Sequence, residues 1–264
     1  MRVTDAATPK GILRISHIGF AVFWRYHFQL VTNCNQLGPF LFQTERILLP
    51  SNTNIIIPEN FPARGVFLSD VLWYNISMKN EELASKKRAI ELYDSGKINE
   101  FEVGTTRGLQ QIHQFLFQDV FDFAGKIREV NLAKGNFRFA PIIYLSDTLK
   151  TIDSLPENNY DEIIKKYVEM NIAHPFREGN GRATRIWLDQ MLKKHLGKCV
   201  DWSKIGKEDY LSAMERSPIN DLEIKTLLAS ALTSNINDRE VYMKGIQSSY
   251  EYEEQDEYDI HKLQ

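Results

Sequence analysis

Beyond residue 78, apolar residues recur at three- and four-residue steps through most of the chain, the spacing of helices with one buried face. Residues 82–95 read as a helix stopped by Gly96. Residues 108–123 set Leu109, Ile112, Leu116, Val120 and Phe123 on one stripe, which Gly125 closes. The rhythm then changes. Residues 130–139 alternate around Lys134, Gly135 and Asn136, which predicts a short hairpin with a glycine-permitted turn. Residues 161–173 carry Ile164, Tyr167, Val168 and Ile172 on an amphipathic face, and residues 182–196 form another such helix, ended by Gly197. Further helices are expected at 207–216, 221–232 and 237–250, giving an all-α domain with one small β-hairpin.

The first 77 residues do not follow this pattern. They show neither helical nor strand periodicity and carry ten charged side chains, against 57 in the remaining 187 residues. Five of the nine prolines also lie there. No methionine falls between Met1 and Met78, so three readings stay open for residues 1–77. They are a partner-binding module, a poorly ordered extension, or a start assigned too far upstream. The expected division is an extension at 1–77, a domain at 78–250 and an acidic tail at 251–264.

Composition narrows the function classes. A net charge of −3 gives no general pull toward nucleic acid or anionic lipid, and no basic stripe with interleaved aromatics appears. Cys34 and Cys199 have no metal-type spacing and form no framework of pairs. The best apolar run, residues 15–24, is about half the length needed to span a bilayer. The expectation is a cytoplasmic protein that binds neither membrane nor nucleic acid directly.

The candidate chemistry sits at His174-Pro175-Phe176-Arg177-Glu178-Gly179-Asn180-Gly181-Arg182. Pro175 disfavours helix at His174, and a new helix begins near Gly181 or Arg182. The turn between them contains residues that accept positive φ, so its amides can converge on an anion at a helix N-terminus. Arg182 and Arg185, three apart, can face the same site and suit a polyphosphate. Glu178 is the kind of hard carboxylate that a phosphate-bridging Mg²⁺ takes, and His174 at the helix end can accept a proton from an attacking hydroxyl.

HPFREGNGR resembles the signature of the Fic family, His-Pro-Phe-x-Asp/Glu-Gly-Asn-Gly-Arg, at every defined position. The resemblance covers roughly residues 85–255 and includes the segment LQQIHQFLFQDVFDFAGKIR, Leu109 to Arg128. It implies the mainly helical Fic fold and a protein AMP transferase using ATP and Mg²⁺. His174 would be the general base and Glu178 the Mg²⁺ ligand. Gly179, Asn180 and Gly181 would cradle the α- and β-phosphates, Arg182 the β-phosphate side and Arg185 the γ-phosphate, with Phe176 anchoring the loop. The hairpin residues Lys134, Gly135, Asn136, Phe137, Arg138 and Phe139 would form a flap that pairs with the target segment. The target would be a protein presenting a hydroxyl, with a topoisomerase subunit as the family-based candidate and toxin activity as the corresponding role.

Ser249 and Glu253, four apart on one helical face, resemble the family's inhibitory motif Ser/Thr-x-x-x-Glu-Gly/Asn. Glu254 departs from it, standing where Gly or Asn is usual. A carboxylate at Glu253 paired with Arg185 would occupy the place of the γ-phosphate and inhibit the enzyme. Tyr250 and Tyr252 become candidate self-modification sites if this helix melts, and relatives of this kind often form homo-oligomers. Three alternatives remain: removal of AMP, transfer of phosphate, or nucleotide-responsive binding without catalysis. An unaltered Gly181 argues against phosphate transfer.

Overall fold

A computed structural model describes residues 68–134 and 137–263. Residues 1–67, and with them most of the N-terminal extension, lie outside the described residues, as do Gly135 and Asn136 of the hairpin turn. Helix α1 spans Leu68–Asp94, so the compositional break at Met78 falls inside a helix rather than at its start.

After a 3₁₀ turn at Lys97–Glu100 comes α2, Thr106–Phe117, whose N-cap Thr105 accepts from the Gly108 amide at 3.0 Å. It ends six residues earlier than its apolar stripe predicts, because Val120 and Phe123 pack from the turns that follow it. The hairpin is also reduced, to β1 at Ala133–Lys134 and β2 at Phe137–Arg138, antiparallel with Ala133 opposite Arg138 and Lys134 opposite Phe137. Helix α3, Ile142–Asp153, was not anticipated; it buries Leu145, Leu149 and Ile152.

The centre is a pair of helices, α4 at Tyr160–Ala173 and α5 at Asn180–Leu196, packed on one another, with α4 also against α3 and α5 against α2. On α5 the run from Arg182 to Leu188 is buried, and Trp187 is fully enclosed with its Nε1 donating to the Thr105 carbonyl at 3.0 Å. A helix buried on several sides cannot be amphipathic in the ordinary sense. Its arginines are therefore inside the protein and need partners.

A short β3, Cys199–Val200, pairs antiparallel with β4, Leu232–Thr233, and between them lie α6, Lys207–Arg216, and α7, Leu222–Ser230. Helix α8, Arg239–Glu251, packs against α5. The acidic stretch after it folds back and ends in a 3₁₀ turn, Ile260–Lys262, whose Ile260 is buried. Among the described residues, no helix is long and apolar enough to cross a membrane.

Candidate functional site

The site forms where α4 ends and α5 begins. His174 is the C-cap of α4 and takes a left-handed conformation, φ 49°, which turns the chain out of the helix ahead of Pro175. Gly179, φ 78°, is the N-cap of α5. A Cβ there would sit 2.5 Å from a Phe117 ring carbon, so the position demands glycine for space as well as for backbone angle.

Phe176 is fully buried, with its ring stacked on His113 at 3.8 Å between centroids. The Asn180 side chain is turned into the loop: its Oδ1 accepts from the Phe176 amide and its Nδ2 donates to the Phe176 carbonyl, both at 2.8 Å. Its amide group thus braces the turn and is not presented to the site. Only main chain from this residue is left to meet a phosphate.

Arg128 is the least obvious brace. Buried at 2 % exposure, it donates to the His174 carbonyl at 2.7 Å, the Ala173 carbonyl at 3.1 Å, the Val130 carbonyl at 2.6 Å and the Ala140 carbonyl at 2.5 Å. One guanidinium thereby satisfies the open C-terminal carbonyls of α4 and fastens both ends of the hairpin. Phe139, just beyond the hairpin, stacks on the His174 imidazole at 3.7 Å. Lys134, Phe137 and Arg138 lie on the paired strands.

Burial pushes the His174 imidazole down to about 3, although the Glu253 charge works in the opposite direction, so the ring is neutral near pH 7. The Glu178 carboxyl is driven up to about 7 by burial, against the pull of Arg182. Its Oε1 accepts from the Gly179 amide at 2.9 Å and lies 3.2 Å from Arg182 Nη2.

Both arginines of α5 are 2 % exposed and engaged. Arg185 Nε donates to Ser249 Oγ at 2.7 Å, and its Nη2 donates to the Ser249 carbonyl at 2.8 Å and to Glu253 Oε1 at 3.0 Å. Burial alone would raise the Glu253 carboxyl. Arg185, then Lys134 and Arg182, outweigh it and hold the group below the usual carboxylate range. Glu253 lies against the turn itself: a Cβ on Gly181 would come within 2.4 Å of its Oε1.

Arg182 Nη1 donates to Glu81 Oε1 at 2.9 Å and to Gln255 Oε1 at 2.7 Å. The aromatic rings of the C-terminal segment complete the enclosure, with Tyr250 at 5.2 Å from the Arg182 guanidinium and Tyr252 at 5.2 Å from that of Arg185. Tyr250 and Tyr252 are buried, at 1 % and 4 % exposure.

The structure therefore brings together residues from 81, 113, 128, 174–185 and 249–255. Glu81, His113, Arg128 and Gln255 escaped the sequence reading, because each acts on a partner tens of residues away and matches no local pattern. The nearest signal was the 109–128 segment, which contains both His113 and Arg128.

Comparison with known proteins agrees with this geometry. The profile of the Fic/DOC family matches residues 104–192, from the start of α2 through most of α5. A relative from Escherichia coli K12, named "Probable protein adenylyltransferase Fic", is 32 % identical over 143 residues, covering 50 % of this chain and 71 % of its own. The protein adenylyltransferase VbhT of Bartonella schoenbuchensis is 31 % identical over 154 residues, 51 % of this chain and 31 % of its own. Among solved structures, the N-terminal FIC domain of Bep8 from Bartonella sp. 1-1C superposes with a TM-score of 0.50 at 20 % identity, covering 64 % of this chain and 88 % of that one, a likeness of fold. Sequence, fold and the arrangement of the turn together place this chain in the Fic/DOC family.

Proposed function

We propose that this protein transfers AMP from ATP to a hydroxyl on a target protein, and that its own C-terminal helix holds it inactive. The adenylyltransferase names of its relatives support the reaction. The chemistry balances on the residues in place. The target hydroxyl oxygen attacks the α-phosphorus, the new O–P bond forms as the bond to the β-phosphate oxygen breaks, and pyrophosphate departs. The hydroxyl proton passes to His174, whose neutral ring can receive it. The amides of the turn and the two arginines face the developing charge, the preorganised electrostatics on which such transfers depend.

Mg²⁺ fits this donor set in one way. Among the described residues no cluster of three or more His, Cys, Asp or Glu side chains could cage a metal. Glu178 alone would hold it, sharing the ion with substrate phosphates, as Mg²⁺ sites commonly do. When bound it would supply positive charge to offset that of the phosphates. The flap, with Lys134, Phe137 and Arg138, would receive the target as an added strand.

The observation that carries the inhibited state is Arg185 held by Glu253 and Ser249, both from α8 or its C-terminal end. A γ-phosphate needs the cation that Glu253 now occupies. The test is incubation with Mg²⁺ and ATP labelled at the α-phosphate, using the parent chain, Glu253→Gly, and Glu253→Gly with His174→Ala. Label should enter protein at least tenfold faster in Glu253→Gly and vanish in the double variant. Label transferred only from the γ-position would sink the reading, and equal labelling by parent and Glu253→Gly would remove the inhibitory role.

A further inference from the structure

We infer that His113 is a positioning residue for the nucleotide turn: its Nε2–H holds the Glu178–Gly179 peptide in the one orientation that points the Gly179 N–H into the site. This rests on the reading of the turn as the phosphate-binding element and adds a residue that the family signature does not contain.

The argument starts from the ring's two nitrogens. His113 is fully buried on α2, stacked at 3.8 Å on Phe176 and packed at 4.8 Å beside Phe117. Its Nδ1 receives the Gly125 amide at 2.9 Å. A backbone N–H can only donate, so Nδ1 carries no proton and the proton of the neutral ring is on Nε2. Nε2 lies 2.8 Å from the Glu178 carbonyl oxygen and therefore donates to it.

That bond fixes more than one oxygen. In a trans peptide the carbonyl and the following N–H point in opposite directions. Holding the Glu178 carbonyl inward turns the Gly179 N–H outward, where it now meets Glu178 Oε1 at 2.9 Å. Without that tether the peptide could turn over, because glycine at 179 tolerates either sign of φ. The Asn180 side chain does not prevent this, since it braces the Phe176 backbone instead. His113 is the group in contact with the carbonyl that decides the orientation. It also joins the turn at Gly125, which leads into the flap, to the turn that would bind nucleotide.

Two amides separate this role from simple packing. A glutamine side chain can place its N–H₂ near the position of Nε2, restoring the donor to Glu178. An asparagine can restore only the acceptor for Gly125. The experiment uses the full chain with Glu253→Gly, to free Arg185, and titrates Mg²⁺ with α,β-methylene-ATP, which cannot surrender AMP. Calorimetry should show His113→Gln within about threefold of the parent, and His113→Asn and His113→Phe weakened by about ten- to a hundredfold, the range for losing one hydrogen bond to a charged group.

Asparagine and glutamine variants of equal affinity, or a folded His113→Phe of undiminished affinity, would overturn the inference. Nitrogen NMR on the unsubstituted ring provides a check that needs no variant to fold: a proton on Nδ1 rather than Nε2 would overturn it as well. A Glu253→Gly protein that binds the analogue yet never transfers α-label would defeat the proposed reaction and leave this assignment standing.

Discussion

At the scale of single residues, Glu254 stands in a left-handed turn at the position where the motif that Ser249–Glu253 resembles has Gly or Asn. The end of α8 closes with the Gln255 amide donating to the Tyr250 carbonyl and the Glu254 amide to the Glu251 carbonyl, both at 3.0 Å. This is the paired pattern that needs a left-handed residue just past the helix, and Glu254 supplies it at φ 62°. A glutamate there costs about 1 kcal/mol relative to glycine, and its 3.4 Å ion pair with Lys207 is surface-exposed and worth little. The sequence departure and the strained backbone angle are one fact seen twice. On the proposed inhibition by α8, Glu254→Gly should therefore tighten the held state, lowering basal α-label transfer about fivefold, the factor that about 1 kcal/mol commands. Basal transfer that rises in this variant would mean that the left-handed turn is not what holds α8 closed. The same end of α8 shows which site residues the sequence could reveal. His174 to Arg185 and the Ser249–Glu253 pair stand in contiguous spacings that a helix brings together. Gln255 reaches Arg182 only because the left-handed turn swings it back, and no spacing rule encodes that.

At the scale of elements, the helices best read from sequence are those whose apolar positions recur at three- and four-residue steps, whether one face is buried or, as in α5, several. Residues 207–216 were predicted to the residue, and α4 and α5 began one and two residues before their expected starts. Helix α3 was missed because Ile142, Ile143 and Tyr144 open it with residues typical of strands, directly after an alternating hairpin. Ile143 and Tyr144 stay exposed while Leu145, Leu149 and Ile152 pack inward, so the helical period was present but overwritten. Helix α1 has a second function hidden in its polar residues. Lys86, fully buried, pairs with Glu82 at 2.8 Å and donates to the carbonyls of Gln255 and Tyr258, while Glu82 accepts from the amides of Glu257 and Tyr258. With Glu81 on Arg182, one face of α1 straps down the segment that follows Ser249–Glu253. Removing one member of a buried pair leaves the other unpaired, which is costly. Lys86→Met should release residues 255–258 and the last turn of α8 to hydrogen exchange, leave α4 and α5 protected, and raise basal transfer on the order of tenfold through loss of the held state. Equal loss of protection in α4 and α5 would show that Lys86 supports the whole domain and not this strap.

At the scale of the whole molecule, a site built from buried ionisable groups makes stability a balance of opposed titrations. His113 and His174 are both held down to about 3 by burial, against an ordinary value of 6.5. Below pH 6.5 the unfolded chain takes up protons that these rings refuse, so the stability they confer is complete above 6.5 and lost as pH falls toward 3. By linkage each loses about 2 kcal/mol at pH 5. Two carboxyls work the other way. Burial raises Glu178 to about 7 and Asp189, which accepts from the Val200 amide and Trp202 Nε1, to about 6. Their folded forms bind protons that the unfolded chain releases, so their contribution is present at low pH and lost as pH rises through 6 and 7. Between pH 7 and pH 5 they return about 2 and about 1 kcal/mol. The sum is near zero, and the parent domain should melt within a few degrees at the two pH values. Taking out one histidine unmasks the carboxyls. His113→Gln should gain about 2 kcal/mol relative to the parent on passing from pH 7 to pH 5, a relative rise in Tm of roughly 4–8 °C for a domain of this size. Calorimetric melts of both proteins across this range decide the matter: parallel curves would mean that His113 is not a neutral buried ring, and diverging curves would trace the acid response of the fold to the groups that build its site.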